Sequence, residues 1–118
     1  MASSITNVVN LHSSTGEGVL KSPDGETETG VHYAVLDYID GMDLFDFISK
    51  HEIPEHVSHH LFQQILMILS KLHEKGIYHL DLKPENFLIS KDMKVYLTDC
   101  GHATQETSMS KLVGTLGY

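Results

Sequence analysis

The apolar positions Val57, Leu61, Phe62, Ile65, Leu66, Met67, Ile68, Leu69 and Leu72 predict one long helix, opened by Pro54 and Glu55 and ending near Lys75, with Gly76 as its C-cap. Towards its middle they surround the axis instead of forming a stripe, which predicts burial on most sides. Such a helix expects partner helices that this chain does not contain. Each Leu or Ile left in water forfeits about 1.5–3 kcal/mol, so four or five amount to roughly 10 kcal/mol, comparable to the stability of a typical domain. Independent folding of the chain is therefore not expected.

Other stretches carry the period of strands. "ITNVVNL" (5–11) is β-branched and apolar and predicts a short strand; "VHYAVLDYI" (31–39) predicts a second, buried on both sides. Between them "HSSTGEGVLKSPDGETETG" is rich in Gly, Ser, Thr and acids, with a turn at Pro23 to Gly25, and reads as a long hairpin connection or an exposed loop. Gly41 breaks the second strand, and "MDLFDFISK" can begin a short helix with Asp43 near its start, where the helix dipole favours an acid. "FLIS" (87–90) and "VYLT" (95–98), joined by "KDMK", predict a β-hairpin. From Asp99 to Tyr118 the chain reads as a loop, and no segment repeats.

Composition narrows the function classes. With 118 residues, 41% hydrophobic and 20% charged, the chain is one domain at most. A net charge of −8 argues against nucleic acid, whose phosphates would be repelled. The acidic excess would suit basic partners, although ordinary solvation also accounts for it. One cysteine, Cys100, rules out an internal disulfide and fits a reducing compartment. No apolar run suits a signal peptide or a membrane span. The expectation is a soluble intracellular protein, cytoplasmic with the nucleus left open, and without membrane partners. Oligomeric state is not legible.

The chemistry concentrates in "YHLDLKPENFLI" (78–89), which places an aspartate, a lysine and an asparagine within six positions. Transfer of the terminal phosphoryl of ATP needs magnesium on hard oxygen ligands, a group orienting the attacking hydroxyl, and positive charge near the moving phosphoryl. Asp81, Lys83 and Asn86 can supply these from one loop, and Asp99, at a strand end, can complete the magnesium site. "HLDLKPENFLI" followed by "LTDCG" resembles the catalytic loop and magnesium-binding motif of eukaryotic protein kinases, His-Arg-Asp-Leu-Lys-Pro-Glu-Asn and Asp-Phe-Gly, with six consecutive identities from Asp81 to Asn86. Lys83 is similar to the serine/threonine class. "DYIDGMDLFDFI" is similar to the hinge and next helix of the calcium/calmodulin-dependent and AMP-activated group, and "GTLGY" to the start of the substrate-seating loop. Small-molecule phosphotransferases share a similar Asp and Asn, but Lys-Pro-Glu-Asn favours the protein kinase branch.

The resemblance implies an α+β fold, a partial two-lobe kinase domain: small-lobe remnants over 1–36, a hinge over 37–42, and the start of a helical large lobe over 43–118. It implies ATP and Mg²⁺ as cofactors and a protein substrate. By position, Asp81 would accept or orient the substrate hydroxyl, Lys83 would touch the γ-phosphate, Asn86 and Asp99 would hold magnesium, and Thr115 would brace Asp81 and Lys83. Leu36 would be the gatekeeper, with Asp37 and Ile39 meeting adenine through their backbone, Asp43 the ribose and Leu88 the floor under adenine. Asp43 and Glu85 also match acids that meet substrate arginines in basophilic kinases.

The chain departs from the pattern in three ways. Leu80 replaces the arginine that pairs with an activation-loop phosphate, so Thr107, Ser108 and Ser110, if phosphorylated, would lack that clamp. Cys100 replaces the phenylalanine; a buried, inert thiol is expected there. No Gly-rich phosphate loop, Val-Ala-x-Lys strand or Ala-Pro-Glu motif occurs, so the match covers the middle of a kinase domain. A catalytically inactive kinase-like binding or scaffold protein, or a truncated gene-model fragment, is the alternative reading. Of nine histidines, His56, His59 and His60 share a helix face at chelating spacing but are expected to face solvent. His79 matches the catalytic-loop histidine, structural in the family.

Overall fold

The computed structural model of the chain describes residues 6–100, 103–105 and 114–117. They fall into two compact units, residues 9–38 and a larger unit drawn from 1–8 and 39–118.

Pro23, Asp24 and Gly25 shape the smaller unit. Gly25 adopts φ 94°, which a side chain would disfavour, and the turn closes through Gly25 N–H donating to the Ser22 carbonyl (3.0 Å) and Ser22 N–H to that of Glu26 (2.9 Å). On either side run β1 (Leu11–Lys21) and β2 (Thr27–Leu36), paired antiparallel with register shifts along β1 between Leu11 and Val19. The sequence pattern places strands at 5–11 and 31–39 with a long hairpin connection or an exposed loop between; β1 instead begins where the first strand is expected to end. The tight turn lets the β-formers Val19, Thr27 and Thr29 pair despite the Gly- and Ser-rich composition. Burial of the second strand is also corrected: Tyr33, Val35 and Leu36 are 46–50% exposed, because a two-stranded ribbon has no second layer of its own. At its base the Asp37 carboxylate accepts from Asn10 N–H (2.9 Å), Asn10 Nδ2 (2.7 Å) and His12 Nε2 (2.6 Å). These bonds, the Asn10 backbone N–H foremost, hold Asp37 below the usual aspartate range.

In the larger unit β3 (Gly41–Asp43), β4 (Phe87–Ser90) and β5 (Val95–Leu97) form an antiparallel sheet in that order. The β4–β5 hairpin lies where the sequence pattern placed it. Gly41, expected to break the second strand, instead opens β3 after β2 has ended at Leu36: a Cβ there would fall 1.8 Å from the Ile89 carbonyl oxygen, so only glycine permits this pairing. The N-terminal segment adds Val8 as a parallel bridge to Leu97, turned in by Asn7 at φ 66°.

Asp43 ends β3 and caps α1 (Leu44–Lys50), its Oδ1 accepting from Asp46 N–H at 2.8 Å. After Pro54, α2 (Glu55–Glu74) ends at Gly76 (φ 68°), with Ile77 N–H reaching the Leu72 carbonyl and Gly76 N–H that of His73, a Schellman arrangement. Leu61, Ile68 and Leu72 bury one face of α2 against Val8, Leu44, Phe87, Ile89, Val95 and Leu97. The expectation of burial on most sides is corrected: Phe62, Leu66 and Met67 are 50–58% exposed, because the sheet covers a single face. Gln64 ties the helix to the hairpin, Nε2 donating to the Met93 carbonyl and Oε1 accepting from Val95 N–H, both at 2.9 Å.

Candidate active site

Two peptide conformations fold the 78–86 loop back on itself. Leu80 takes φ 67°, unusual for a branched side chain, and Pro84–Asn86 forms a single 3₁₀ turn, with Asn86 N–H donating to the Lys83 carbonyl at 3.0 Å. The reversal at Leu80 lets Asp81 N–H donate to Nδ1 of His79 (3.2 Å), while Nε2 of that ring meets the Thr98 carbonyl (3.0 Å). A backbone N–H can only donate and a carbonyl only accept, so the ring proton sits on Nε2 and both nitrogens are engaged. His79, 2% exposed, is thus a structural spacer between the loop and the end of β5, in keeping with the role the resemblance implied.

The four residues assigned to catalysis by resemblance form one connected network. Asp81 and Asn86 are buried, and Asn86 Nδ2 donates to the Asp81 carbonyl (2.7 Å) and, at the long limit, to Asp81 Oδ2 (3.4 Å). Thr115 Oγ1 donates to Asp81 Oδ1 (2.7 Å) and accepts from Lys83 Nζ (2.6 Å); the ammonium also lies 3.7 Å from Asp81 Oδ2. Gly114, just before Thr115, adopts φ 114°, a conformation that a side chain disfavours, and a Cβ there would meet the Leu80 carbonyl oxygen at 3.4 Å. Sequence reasoning missed Gly114 and the turned backbone of Leu80; the glycine beside Thr115 was the available signal.

Thr98 N–H donates to the Asn86 carbonyl (2.9 Å), which brings the segment carrying Asp99 against the loop. Asp99 follows exposed, at φ 56°. Because Asn86 spends its amide N–H on Asp81, its Oδ1 is the end left to a cation, and Asp99 offers a second oxygen ligand. Two hard oxygen donors fit magnesium better than a softer metal. Asp43 and Leu88 are register partners across β3 and β4, and Ile39 is half-buried in the same unit. Leu36 and Asp37 belong to the ribbon unit, where Leu36 is half exposed.

Cys100 corrects one expectation: it is exposed, not buried. Atoms packed around the thiol nevertheless push its pKa up, and the neighbouring Asp99 carboxylate adds to the rise, so the thiolate is disfavoured. His56, His59 and His60 are exposed as expected, and no cluster of three metal-binding side chains occurs among the described residues. Thr107, Ser108 and Ser110 lie outside the described residues.

Comparison with known proteins decides the family: the protein kinase domain matches residues 2–118. The chain belongs to the protein kinase family. It is 44% identical over 70 residues to CBL-interacting protein kinase 1 of Oryza sativa subsp. japonica, covering 58% of this chain and 15% of that protein. It is 41% identical over 90 residues to serine/threonine-protein kinase KSP1 of Saccharomyces cerevisiae, covering 73% and 9%. Against serine/threonine-protein kinase grp of Drosophila melanogaster the identity is 38% over 99 residues, covering 78% and 19%. The last two are named as serine/threonine kinases, the branch that Lys83 indicated, and the mixed strands and helices match a partial two-lobe α+β kinase fold. The chain spans less than a fifth of the length of each of them. Kinases of this family use ATP and Mg²⁺ on protein substrates. Among the described residues no helix is long and apolar enough to cross a membrane.

Proposed function

We propose that this chain carries the catalytic loop and magnesium site of a serine/threonine protein kinase, transferring the γ-phosphoryl of ATP to a protein hydroxyl. The supporting observation is the hydrogen-bonded chain Lys83–Thr115–Asp81–Asn86, which holds a carboxylate, a cation and an amide oxygen within one small site. Asp81 orients the attacking hydroxyl and takes its proton, and Lys83 supplies positive charge beside the moving phosphoryl. Thr115 positions both through its single hydroxyl. Asn86 and Asp99 would hold magnesium, which would supply neutralisation of charge on the phosphate oxygens. In the larger unit, Ile39, Asp43 and Leu88 receive the nucleoside, the roles that the resemblance implies. Asp43 and Glu85 favour substrates with arginine near the accepting hydroxyl.

Calorimetric titration with Mg-ATP, run beside Asp99→Ala, tests the reading. Saturable binding that the substitution abolishes supports it. Binding indifferent to both magnesium and Asp99 would instead favour a kinase-like binding protein without phosphoryl transfer.

A further inference from the structure

Away from the catalytic network, the larger unit has an open groove of about 460 Å³ between α2, the N-terminal segment and the β4–β5 turn, within the size range of ligand sites. Asn7, Gln64, Met67, Lys71, Lys94 and Tyr96 line it. Two of its lining residues, Gln64 and Asn7, are held in place by hydrogen bonds. Gln64 is bonded at both ends of its amide, Asn7 Nδ2 donates to the Val95 carbonyl (2.9 Å), and the Asn7 carbonyl accepts from Leu97 N–H (2.9 Å). A preformed surface costs little ordering on binding.

The lining pairs two chemistries. Met67 is 58% exposed and offers an adaptable apolar surface, with half-buried Tyr96 beside it. Lys71 and Lys94 supply positive charge in a chain of sixteen acids and eight basic residues, every one of the eight a lysine. Lys94 lies 3.6 Å from Asp92, but both side chains are at least 60% exposed, so the pair is weak and can exchange for another carboxylate. Lys71 has no ion-pair partner among the described residues.

We propose that this groove docks an acidic, leucine-bearing peptide segment of a partner protein, carboxylates on Lys71 and Lys94 and an aliphatic side chain on Met67. None of Asp81, Lys83, Asn86 or Thr115 lines it, so docking and catalysis use separate surfaces.

Fluorescence anisotropy on the full chain tests this with a short fluorescein-labelled peptide alternating leucine with aspartate. Leucine–lysine and serine–aspartate peptides serve as comparisons. The expected result is saturable binding of the first, weaker binding of serine–aspartate and none of leucine–lysine. Lys71→Glu with Lys94→Glu weakens the leucine–aspartate peptide about tenfold or more and gains the leucine–lysine peptide, read on a variant whose far-UV circular dichroism matches that of the unaltered chain. The milder pair Lys71→Gln with Lys94→Gln moves affinity in the same direction and serves if charge reversal disturbs folding. Absence of saturable binding, equal affinity for leucine–aspartate and serine–aspartate, or indifference to both pairs of substitutions overturns the proposal. So does self-association in sedimentation that the lysine variants abolish, which would make a second copy the occupant.

Discussion

Replacing Asn86 by leucine removes the donor that holds the Asp81 carbonyl while keeping the side-chain size. Asn86 is 4% exposed and Asp81 8%, so water cannot readily replace the 2.7 Å bond. An acceptor left unmet in such a place costs about 1–3 kcal/mol. The second contact, at 3.4 Å to Oδ2, is too long to add much, and the leucine regains part of the loss by its own burial. A net destabilisation of about 1–2 kcal/mol follows, and with a urea dependence of about 1–2 kcal/mol per molar the unfolding midpoint falls by about 1 M. Urea titration followed by far-UV circular dichroism reads it. Asn86→Asp is the informative partner: it also loses the donor and sets a second carboxylate beside Asp81, so it falls further, and magnesium recovers part of that loss. A midpoint for Asn86→Leu equal to or above that of the unaltered chain would refute the reasoning about the loop. Asn86→Asp that ignores magnesium would refute the assignment of this position to the metal.

Gly41→Ala must move β3 off Ile89, whose carbonyl would lie 1.8 Å from the new Cβ; a loss of about 2–4 kcal/mol is expected from such overpacking against backbone, measured by thermal unfolding, and an unchanged midpoint would contradict the pairing. The depressed pKa of Asp37 stabilises the base of the ribbon at pH above its ordinary value of 3.8, and that contribution is lost as pH falls through the lower folded-state value. Acid titration followed by NMR should therefore show the ribbon loosening below that pH, with Asn10→Ala moving the transition up; a transition that Asn10→Ala leaves in place would contradict the bonding. With Leu80 in place of a basic residue, phosphorylation of Thr107, Ser108 or Ser110 lacks its charge-assisted partner and should change kinase activity by no more than about threefold. A strong activation in assays of the phosphorylated protein would show that another cation takes the role.

What the sequence showed, and what it hid, divides along local and non-local lines. The span of α2 could be read from Pro54, the apolar spacing and Gly76, because each acts within a few residues. The β4–β5 hairpin could be read from the polar turn between two apolar runs. Asp81, Lys83, Asn86 and Thr115 are assigned by the resemblance of their motifs to those of protein kinases, and they meet in the folded chain. The extent of β1 and β2 was hidden because residues that read as loop were pinned by a turn at Pro23 to Gly25. Gly41 looked like a breaker because its closest neighbour, Ile89, lies far along the chain. Gln64 carried no signal either: an amide on a helix shows its purpose only when the Met93 and Val95 backbone it satisfies is in view.

Magnesium-dependent transfer of radiolabelled γ-phosphoryl from ATP to an arginine-flanked serine peptide, by protein isolated from its own cells, is the most direct measurement. If Asp81 orients the attacking hydroxyl, the unaltered protein labels the peptide and Asp81→Asn lowers the rate by about a hundredfold or more. Labelling that survives Asp81→Asn, or none from the unaltered protein, would contradict the account.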